Sequence, residues 1–371
     1  MNRHERILKK LIVPMSLALV LGSCAKTDFS HLDQVVKTAI EERIFPGAVV
    51  LVGTADEILY EKAYGRYTYA ADAPVVTPES LFDMASLTKV FATSMAVMKC
   101  IDSGLVDPEL PVVHYLPEFD NHGKDKILVK HLLMHNSGLP AYARAGASSA
   151  ETLDRIMNIE MVRELGDYTY SCLNFITLMR VVESASGKKM WEFYKETFTD
   201  PMGLHHTLFS PHEAIKNRCL PTIGDSSGTE IRLQGKVHDP LAFSLEGYSG
   251  NAGLFSTASD LAAFCRLMLN DGVYRNRTYV KPETMMPFKT LQSGSRAYGW
   301  GLNNFRSSAG SKMAETAIGH TGYTGTCAWI DLEKGIFVIF LTNRVFPLDQ
   351  KSVTSVRRDV NDAAMQAVFG I

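Results

Sequence analysis

The segment Phe82-Asp83-Met84-Ala85-Ser86-Leu87-Thr88-Lys89-Val90-Phe91-Ala92-Thr93 decides how the rest of this 371-residue chain is interpreted. Its apolar residues predict that a helix begins here and runs to Asp102. Ser86 and Lys89 are three residues apart, so they would share one face of that helix and their side-chain ends could meet. Backbone N–H groups at a helix start also point outward, where they can stabilise a developing oxyanion.

This serine and lysine predict nucleophilic chemistry. A serine hydroxyl is a weak nucleophile until a base takes its proton, and lysine can be that base only if burial or nearby positive charge lowers its pKa. Spacing alone does not single out the pair, because Ser23–Lys26 and Ser186–Lys189 repeat it. The first repeat falls on a predicted processing site, and the second contains Gly187 and is typical of a helix end. A capping serine beside a solvated lysine is the alternative for any isolated match.

Composition excludes several functions. The formal net charge is −2 with no basic block, so nucleic-acid binding has no electrostatic basis. The length allows a large core, in one two-lobed unit or in two domains. Apart from Cys24, the chain has an odd number of scattered cysteines, which implies neither a disulfide framework nor a zinc site: Cys100, Cys172, Cys219, Cys265 and Cys327. The sequence as a whole implies no metal and no cofactor.

The first 23 residues predict a signal peptide of the lipoprotein type. Four basic residues precede the apolar run Leu11–Leu21, which is too short to span a bilayer. The following Leu21-Gly22-Ser23-Cys24 resembles the bacterial lipobox, which implies cleavage before Cys24 and lipidation of its thiol, with residues 24–30 as a tether. This predicts an exported protein anchored by lipid to a bacterial cell membrane, at the periplasmic face or the cell surface. An ordinary signal peptide is the alternative.

Predicted strands lie at both ends of the chain, and predicted helices fill its middle. The strands are expected at 48–53, 58–65, 300–303, 316–319, 327–332 and 336–343. Residues 141–165 are expected to be helical and 205–250 to be a loop. The simplest assembly is an α/β (α+β) fold, with one sheet lobe from 31–80 and 290–371 and an inserted, mainly helical lobe at 81–289. A ligand would bind in the cleft between the lobes.

Three polar clusters follow one another in order: Ser86-x-x-Lys89, Tyr170-Ser171-Cys172 and His320-Thr321-Gly322. With them, residues 31–369 resemble the serine β-lactamase and penicillin-binding-protein superfamily. The most similar branch contains class C β-lactamases, D-alanyl carboxypeptidases and related esterases. Further stretches that carry the resemblance are 132–140, 251–257 and 322–326. The resemblance implies a β-lactamase/transpeptidase-like fold whose antiparallel sheet is flanked by helices.

The resemblance also implies roles for individual residues. Ser86 would be the acylated nucleophile, Lys89 its proton partner, and Tyr170 a second group that moves protons. The backbone N–H groups of Ser86 and Tyr323 would form the oxyanion hole, beside an edge strand that holds the substrate. The side chains and backbone implied to contact substrate belong to His320, Thr321, Gly322, Cys172, Asn174 and His238. Taken alone, Tyr170 would be a core or capping tyrosine and His320 a structural histidine.

Two residues depart from the superfamily's usual pattern. Cys172 stands where the tyrosine motif usually ends in asparagine, and a thiol is a poor replacement for an amide. Asn174 could compensate only if the backbone turns differently. His320 replaces the usual lysine and is only partly charged at neutral pH, which weakens recognition of a substrate carboxylate. Both departures argue against an efficient β-lactam hydrolase.

Residues 235–240 and 247–253 are similar to a loop in exported relatives linked to cell-wall recycling. Some of these relatives resemble muropeptide amidases, which cut lactyl–alanine amide bonds. Asn251 stands where they often have histidine. His238 and Asp239 could line the cleft, or they could be hydrogen-bonded loop anchors. We expect His135 to be structural, supporting the turn that follows it.

The sequence therefore predicts an exported serine hydrolase that forms an acyl-enzyme at Ser86. Its substrate would be a cell-wall-derived peptide or amide, as for a D-alanyl peptidase or a muropeptide amidase. The alternatives are a carboxyl esterase, a weak class C-like β-lactamase, or a non-catalytic penicillin or peptidoglycan sensor. The expected partners are a peptidoglycan fragment and a membrane through Cys24, with a monomer as the default.

Overall fold

A six-stranded antiparallel sheet lies at the centre of the computed structural model, which describes residues 27–304 and 307–371. The strands are β1 (Gly47–Thr54), β2 (Ile58–Gly65), β3 (Phe82–Asp83), β4 (Leu208–Phe209), β5 (Ile223–Gly224), β6 (Ile231–Leu233), β7 (Leu254–Ser256), β8 (Val273–Tyr274), β9 (Arg277–Thr278), β10 (Gly301–Leu302), β11 (Ile318–Thr321), β12 (Cys327–Asp331) and β13 (Ile336–Thr342). The order in the central sheet is β10-β11-β12-β13-β1-β2.

The helices are α1 (Ser30–Glu41), α2 (Ser94–Asp102), α3 (Val129–Leu133), α4 (Ser149–Met157), α5 (Cys172–Ser186), α6 (Met190–Tyr194), α7 (Asp200–Met202), α8 (Pro240–Ser244), α9 (Ala258–Leu269), α10 (Pro282–Lys289) and α11 (Thr354–Phe369). A π-helical turn, Lys89–Thr93, runs directly into α2. The two ends of the chain meet where β1 pairs with β13, for example at Val50 and Phe340. The predicted fold class is confirmed.

Alternation along β1 explains why this strand lies in the middle of the sheet. Val49 and Leu51 point into the core under the inserted helices, whereas Ala48, Val50 and Val52 point into a second core. The second core also contains apolar residues of α1 and α11, the first and last helices. Each fully buried valine or leucine contributes about 1.5–3 kcal/mol. A strand that is apolar on both faces therefore needs helices on both sides of the sheet.

Several predicted boundaries were wrong. Within 141–165 the structure has only α4, and the predicted loop 205–250 contains β4, β5, β6 and α8. A small sheet of order β3-β7-β4 was not expected, because strands of two or three residues show no period. Strand β11 lies two residues later than predicted, so His320 and Thr321 are part of it.

The predicted signal peptide and Cys24 lie outside the described residues, and the predicted tether overlaps α1 at Ser30. Between residues 27 and 371, apart from 305 and 306, no helix has the length and apolar character needed to cross a membrane. The lobe limits near residues 80 and 290 stay predictions.

Candidate active site

The turn that carries Ser86 is held in a strained backbone conformation. Ala85 has a φ of +46°, a left-handed backbone conformation that residues other than glycine rarely adopt. The Asp83 carboxylate accepts a hydrogen bond of 2.8 Å from the Ala85 N–H, and the Met84 N–H donates to the Leu254 carbonyl at 2.9 Å. The small sheet formed by β3, β7 and β4 thus fixes the position from which Ser86 projects.

Lys89 lies beneath Ser86 and is fully buried. Its Nζ donates at 3.0 Å to Ser86 Oγ and at 2.9 Å to the Asn251 carbonyl, and it lies 3.6 Å from Cys172 Sγ. The same Nζ is 5.1 Å from the centre of the Tyr170 ring. The structure therefore brings together the serine, the lysine and the tyrosine that the sequence analysis selected.

The protonation state of Lys89 differs from what a simple general base requires. Burial lowers its pKa, but the Cys172 thiol, the Tyr170 phenol and the Asp239 carboxylate outweigh burial, so the pKa of Lys89 is raised above its usual value. Lys89 is then an ammonium at neutral pH and donates to Ser86 Oγ. Because an ammonium has no acceptor, Lys89 can take the Ser86 proton only after it has itself lost one.

His135 supports the segment that carries Tyr170. It is fully buried, its Nδ1 accepts from the Ser171 N–H at 3.0 Å, and its ring centre is 4.6 Å from that of Tyr170. Burial, with smaller contributions from the charges of Arg296 and Lys89, lowers the pKa of His135 well below its usual value. A neutral imidazole can accept this hydrogen bond, as the expected structural role requires.

Asn174 does not face the cleft. Its side chain is fully buried, accepts from the Ser137 hydroxyl at 2.6 Å and lies 3.3 Å from the His135 ring. The expectation that Asn174 contacts substrate is therefore wrong: it points from α5 into the protein. Cys172, at the start of the same helix, is the residue whose side chain lies beside Lys89.

A cleft of about 1050 Å³ opens beside Ser86. Strand β10 pairs with β11 only at Gly301–Gly319 and Leu302–Ile318, so it leaves the backbone beyond Gly319 open on that side. The predicted residues that line the cleft are Ser86, Tyr170, His320, Thr321, Gly322 and Tyr323.

Two backbone N–H groups near Ser86 are free to bind an oxyanion. The N–H groups of Ser86 and Tyr323 have no acceptor among the described residues. The turn that carries Tyr323 packs directly on the turn that carries Ser86, since Thr324 Oγ1 donates to the Asp83 carbonyl at 2.7 Å. Gly322 allows this approach, because a Cβ there would lie 2.6 Å from the Met84 carbonyl oxygen.

His320 is neutral in this structure. It is buried, and its Nδ1 lies 2.9 Å from the Thr321 carbonyl oxygen. Burial first, and then the positive charges of Arg296 and Lys89, lower the pKa of His320 well below its usual value. The imidazole therefore supplies no positive charge for a substrate carboxylate at neutral pH.

Arg296 was missed by the sequence analysis. It lines the cleft and is only 7% exposed, and its guanidinium carbon lies 5.5 Å from the ring centre of Tyr168 and 5.9 Å from that of Tyr170. Its Nε has no hydrogen-bond partner, and it forms no ion pair with any described carboxylate. A buried cation without an anion is costly, so this position favours a negatively charged ligand group. No motif marks it, because it lies in the irregular segment between α10 and β10.

The loop before α8 also contacts the turn that carries Ser86. The His238 N–H donates to Asp83 at 2.7 Å, and its ring stacks on Tyr323 with 5.8 Å between centres. Asp239 accepts from the Ala242 N–H at 2.9 Å and from Asn251 Nδ2 at 3.1 Å. Asp239 is thus a loop anchor, and His238 contacts the cleft residue Tyr323 without being one of the residues that line the cleft.

Within residues 27–304 and 307–371, no group of three or more His, Cys, Asp or Glu side chains is placed to hold a metal ion. The five cysteines of this part are free thiols. A serine, a lysine and a tyrosine beside two free N–H groups can instead perform acyl transfer, with a covalent ester on the serine.

Comparisons with known proteins agree with this geometry. The family model described as Beta-lactamase matches residues 32–361. The chain is 32% identical to an N-acetylmuramyl-L-alanine amidase of Bacillus subtilis (strain 168), covering 90% of this chain and 85% of that one. It is 29% identical to a putative D-alanyl-D-alanine carboxypeptidase of Escherichia coli (strain K12), covering 81% and 79%. The crystal structure of a penicillin-binding protein homolog from Caulobacter crescentus superposes with a TM-score of 0.76 at 18% identity, covering 91% and 97%. The chain therefore belongs to the beta-lactamase family, which confirms both the resemblance and the serine-hydrolase class predicted from the sequence.

Proposed function

We propose that this serine hydrolase forms an acyl-enzyme at Ser86 and cleaves an amide or peptide bond in cell-wall-derived fragments. The observation that carries the proposal is the 3.0 Å contact between Ser86 Oγ and Lys89 Nζ at the wall of an open cleft, beside two unpartnered N–H groups. The amidase and carboxypeptidase names of the two relatives favour an amide or peptide substrate.

The reaction needs a nucleophile, a proton carrier and an oxyanion site. The reactive form has lost one proton from the pair formed by Lys89 and Tyr170, and Ser86 Oγ attacks the carbonyl carbon while its proton passes to that pair. The N–H groups of Ser86 and Tyr323 bind the oxyanion of the tetrahedral intermediate. The pair returns the proton to the leaving nitrogen, and the C–N bond breaks. Water then attacks the ester, which releases the acid and restores the Ser86 hydroxyl.

The substrate has a carboxylate, because the cleft contains an unpaired buried cation. Arg296 is the charged group of the cleft that is available for it. Arg344 pairs with Asp349, Arg357 donates to three backbone carbonyls, and Lys89 already contacts three protein groups. Charged hydrogen bonds of this type are worth about 1.5–3 kcal/mol. Peptide fragments of the cell wall carry such carboxylates, whereas simple esters do not.

The protein is exported and held at a bacterial membrane by lipid on Cys24. The support is the lipobox-like Leu21-Gly22-Ser23-Cys24 after an apolar run, together with the cell-wall substrates named for the relatives. Replacing Cys24 with alanine in the full chain should move the protein from the membrane fraction to the soluble fraction and abolish incorporation of labelled palmitate. Unchanged membrane association and labelling would contradict the anchor.

The test of catalysis uses purified muropeptides with mass-spectrometric detection and, in parallel, an activated ester. Ser86→Ala should lower turnover of both by at least about 10³-fold. Ser186→Ala is the matched control, because Ser186 belongs to another serine–lysine pair with the same spacing, at the end of α5. Full activity of Ser86→Ala would reject the site. Turnover of esters alone would indicate an esterase, and a permanent adduct on Ser86 without turnover would indicate a sensor.

A further inference from the structure

Arg357 in α11 is buried directly behind the turn that carries Tyr323. Only 8% of the residue is exposed. One terminal nitrogen of its guanidinium donates at 2.6 Å to the Gly322 carbonyl and at 3.0 Å to the Thr326 carbonyl, and its Nε donates at 3.2 Å to the Gly325 carbonyl. No described carboxylate pairs with it. Three backbone carbonyls therefore replace water around this buried cation.

The shortest of these hydrogen bonds, at 2.6 Å, is accepted by the peptide group that joins Gly322 to Tyr323. The Gly322 carbonyl and the Tyr323 N–H belong to the same planar, conjugated amide. Its N–H has no acceptor among the described residues and is the proposed oxyanion donor. A donor on the carbonyl oxygen polarises the amide and strengthens its N–H as a donor, and a charged donor does so more strongly.

We propose that Arg357 is a positioning residue that strengthens the oxyanion hole through the Gly322–Tyr323 peptide group. This inference rests on the proposed acyl-enzyme function at Ser86. The guanidinium holds the amide in a fixed orientation and polarises it, so that the N–H binds the tetrahedral oxyanion more tightly than the ground-state carbonyl. The resulting effect is on the transition state and not on substrate affinity.

Arg344 provides a matched control within the same turn. One terminal nitrogen of its guanidinium donates at 2.8 Å to the Tyr323 carbonyl. That carbonyl belongs to the next peptide group, whose N–H is that of Thr324 and does not serve the oxyanion. Both arginines therefore donate to a backbone carbonyl of this turn, but only Arg357 contacts the carbonyl of the amide that would bind the oxyanion.

The experiment compares Arg357→Gln, Arg357→Lys and Arg344→Gln with the unmodified protein. Two quantities are measured: kcat and KM for a neutral activated ester, and the inhibition constant of a neutral arylboronic acid, which forms a tetrahedral adduct with the nucleophile. Arg357→Gln should lower kcat by about 10- to 100-fold, with KM changed less than about threefold. The affinity for the boronic acid should fall in parallel. Arg357→Lys should recover part of both losses, and Arg344→Gln should change the boronic acid affinity by less than about threefold.

Three outcomes would overturn the inference. Equal losses in Arg357→Gln and Arg344→Gln would indicate general support of the turn. A loss confined to KM of carboxylate-bearing substrates would make Arg357 a direct substrate contact. Unchanged boronic acid affinity in a folded Arg357→Gln, verified by its melting temperature, would exclude polarisation. The proposed function fails separately, if Ser86→Ala retains turnover.

Discussion

The hydroxyl of Thr324 donates a hydrogen bond of 2.7 Å to the backbone carbonyl of Asp83, and both residues are buried. The two are separated by 241 positions in the chain. This bond joins the turn after β11 to the turn that projects Ser86. The two N–H groups of the proposed oxyanion hole come from these two turns, so their separation depends on this side-chain contact.

Thr324→Val tests that dependence. The substitution keeps the shape of the side chain but leaves the buried Asp83 carbonyl unpaired, which should cost about 1–3 kcal/mol of unfolding free energy. We expect kcat for an activated ester to fall about tenfold with little change in KM, since the transition state depends on the N–H spacing. Thr316→Val is the control, because exposed Thr316 bonds only to Glu333 away from the cleft. Equal kcat values in the two variants would contradict the argument.

Cys172→Ala should move the pH dependence of the enzyme. The thiol lies 3.6 Å from Lys89 Nζ and is the largest of the influences that raise the pKa of Lys89. Removing it should lower the Lys89 pKa, so the limb of the kcat/KM profile that Lys89 governs should shift to lower pH. Cys172→Ser should shift the limb in the same direction, because the influence of Cys172 is electrostatic and a serine hydroxyl carries no negative charge in this pH range. A shift to higher pH, or no shift at all, would show that Lys89 does not control the profile.

The sequence allowed the central sheet and the contact between Ser86 and Lys89 to be predicted because both depend on local pattern. A short continuous apolar run rich in valine marks β1, and the three-residue spacing of Ser86 and Lys89 suits one face of a helix. Tyr170 and His320 carry no such pattern and were selected only because their motifs occur in the order expected from the resemblance.

Other parts of the site depend on tertiary contacts that have no local signal. Arg296 lies in an irregular segment, and its importance comes from what surrounds it after folding. Asn174 and Cys172 are two residues apart at a helix start, and only the direction of that helix decides which side chain reaches Lys89. The raised pKa of Lys89 has no local signal either, since the groups that raise it come from distant segments.

Protonation of Asp83 should make kcat/KM fall as the pH drops below about 6, which gives the pH profile an acid limb. Its carboxylate accepts from the Ala85 and His238 N–H groups at 2.8 and 2.7 Å. Burial, despite these bonds, raises the pKa of Asp83 to about 6. Because the native pKa exceeds the unfolded value of 3.8, the stability that this group contributes falls as the pH rises from about 4 to about 6. The ionised form, however, is the one that holds both N–H groups, so activity should rise over the upper part of this range.

Asp83→Asn tests whether Asp83 causes this pH dependence. An amide cannot ionise, and it presents one acceptor oxygen and one NH₂ group where the carboxylate presents two acceptors. We expect kcat/KM to fall about tenfold above pH 7 and the acid limb near pH 6 to disappear from a profile measured between about pH 4.5 and about pH 8. An unchanged limb in this variant would assign it to another group.

Arg296→Met tests the anionic substrate by two measurements that should move in opposite directions. For a carboxylate-bearing peptide, kcat/KM should fall by about 10- to 100-fold, whereas the matched substrate with a carboxamide should change by less than about threefold. At the same time the melting temperature should rise, because a buried cation without a partner is replaced by an apolar chain of similar length. Equal losses for the two substrates would show that Arg296 acts by packing on Tyr168 and Tyr170. A lower melting temperature would show that the charge is already stabilised by the protein, and the case for a carboxylate at this position would then fail.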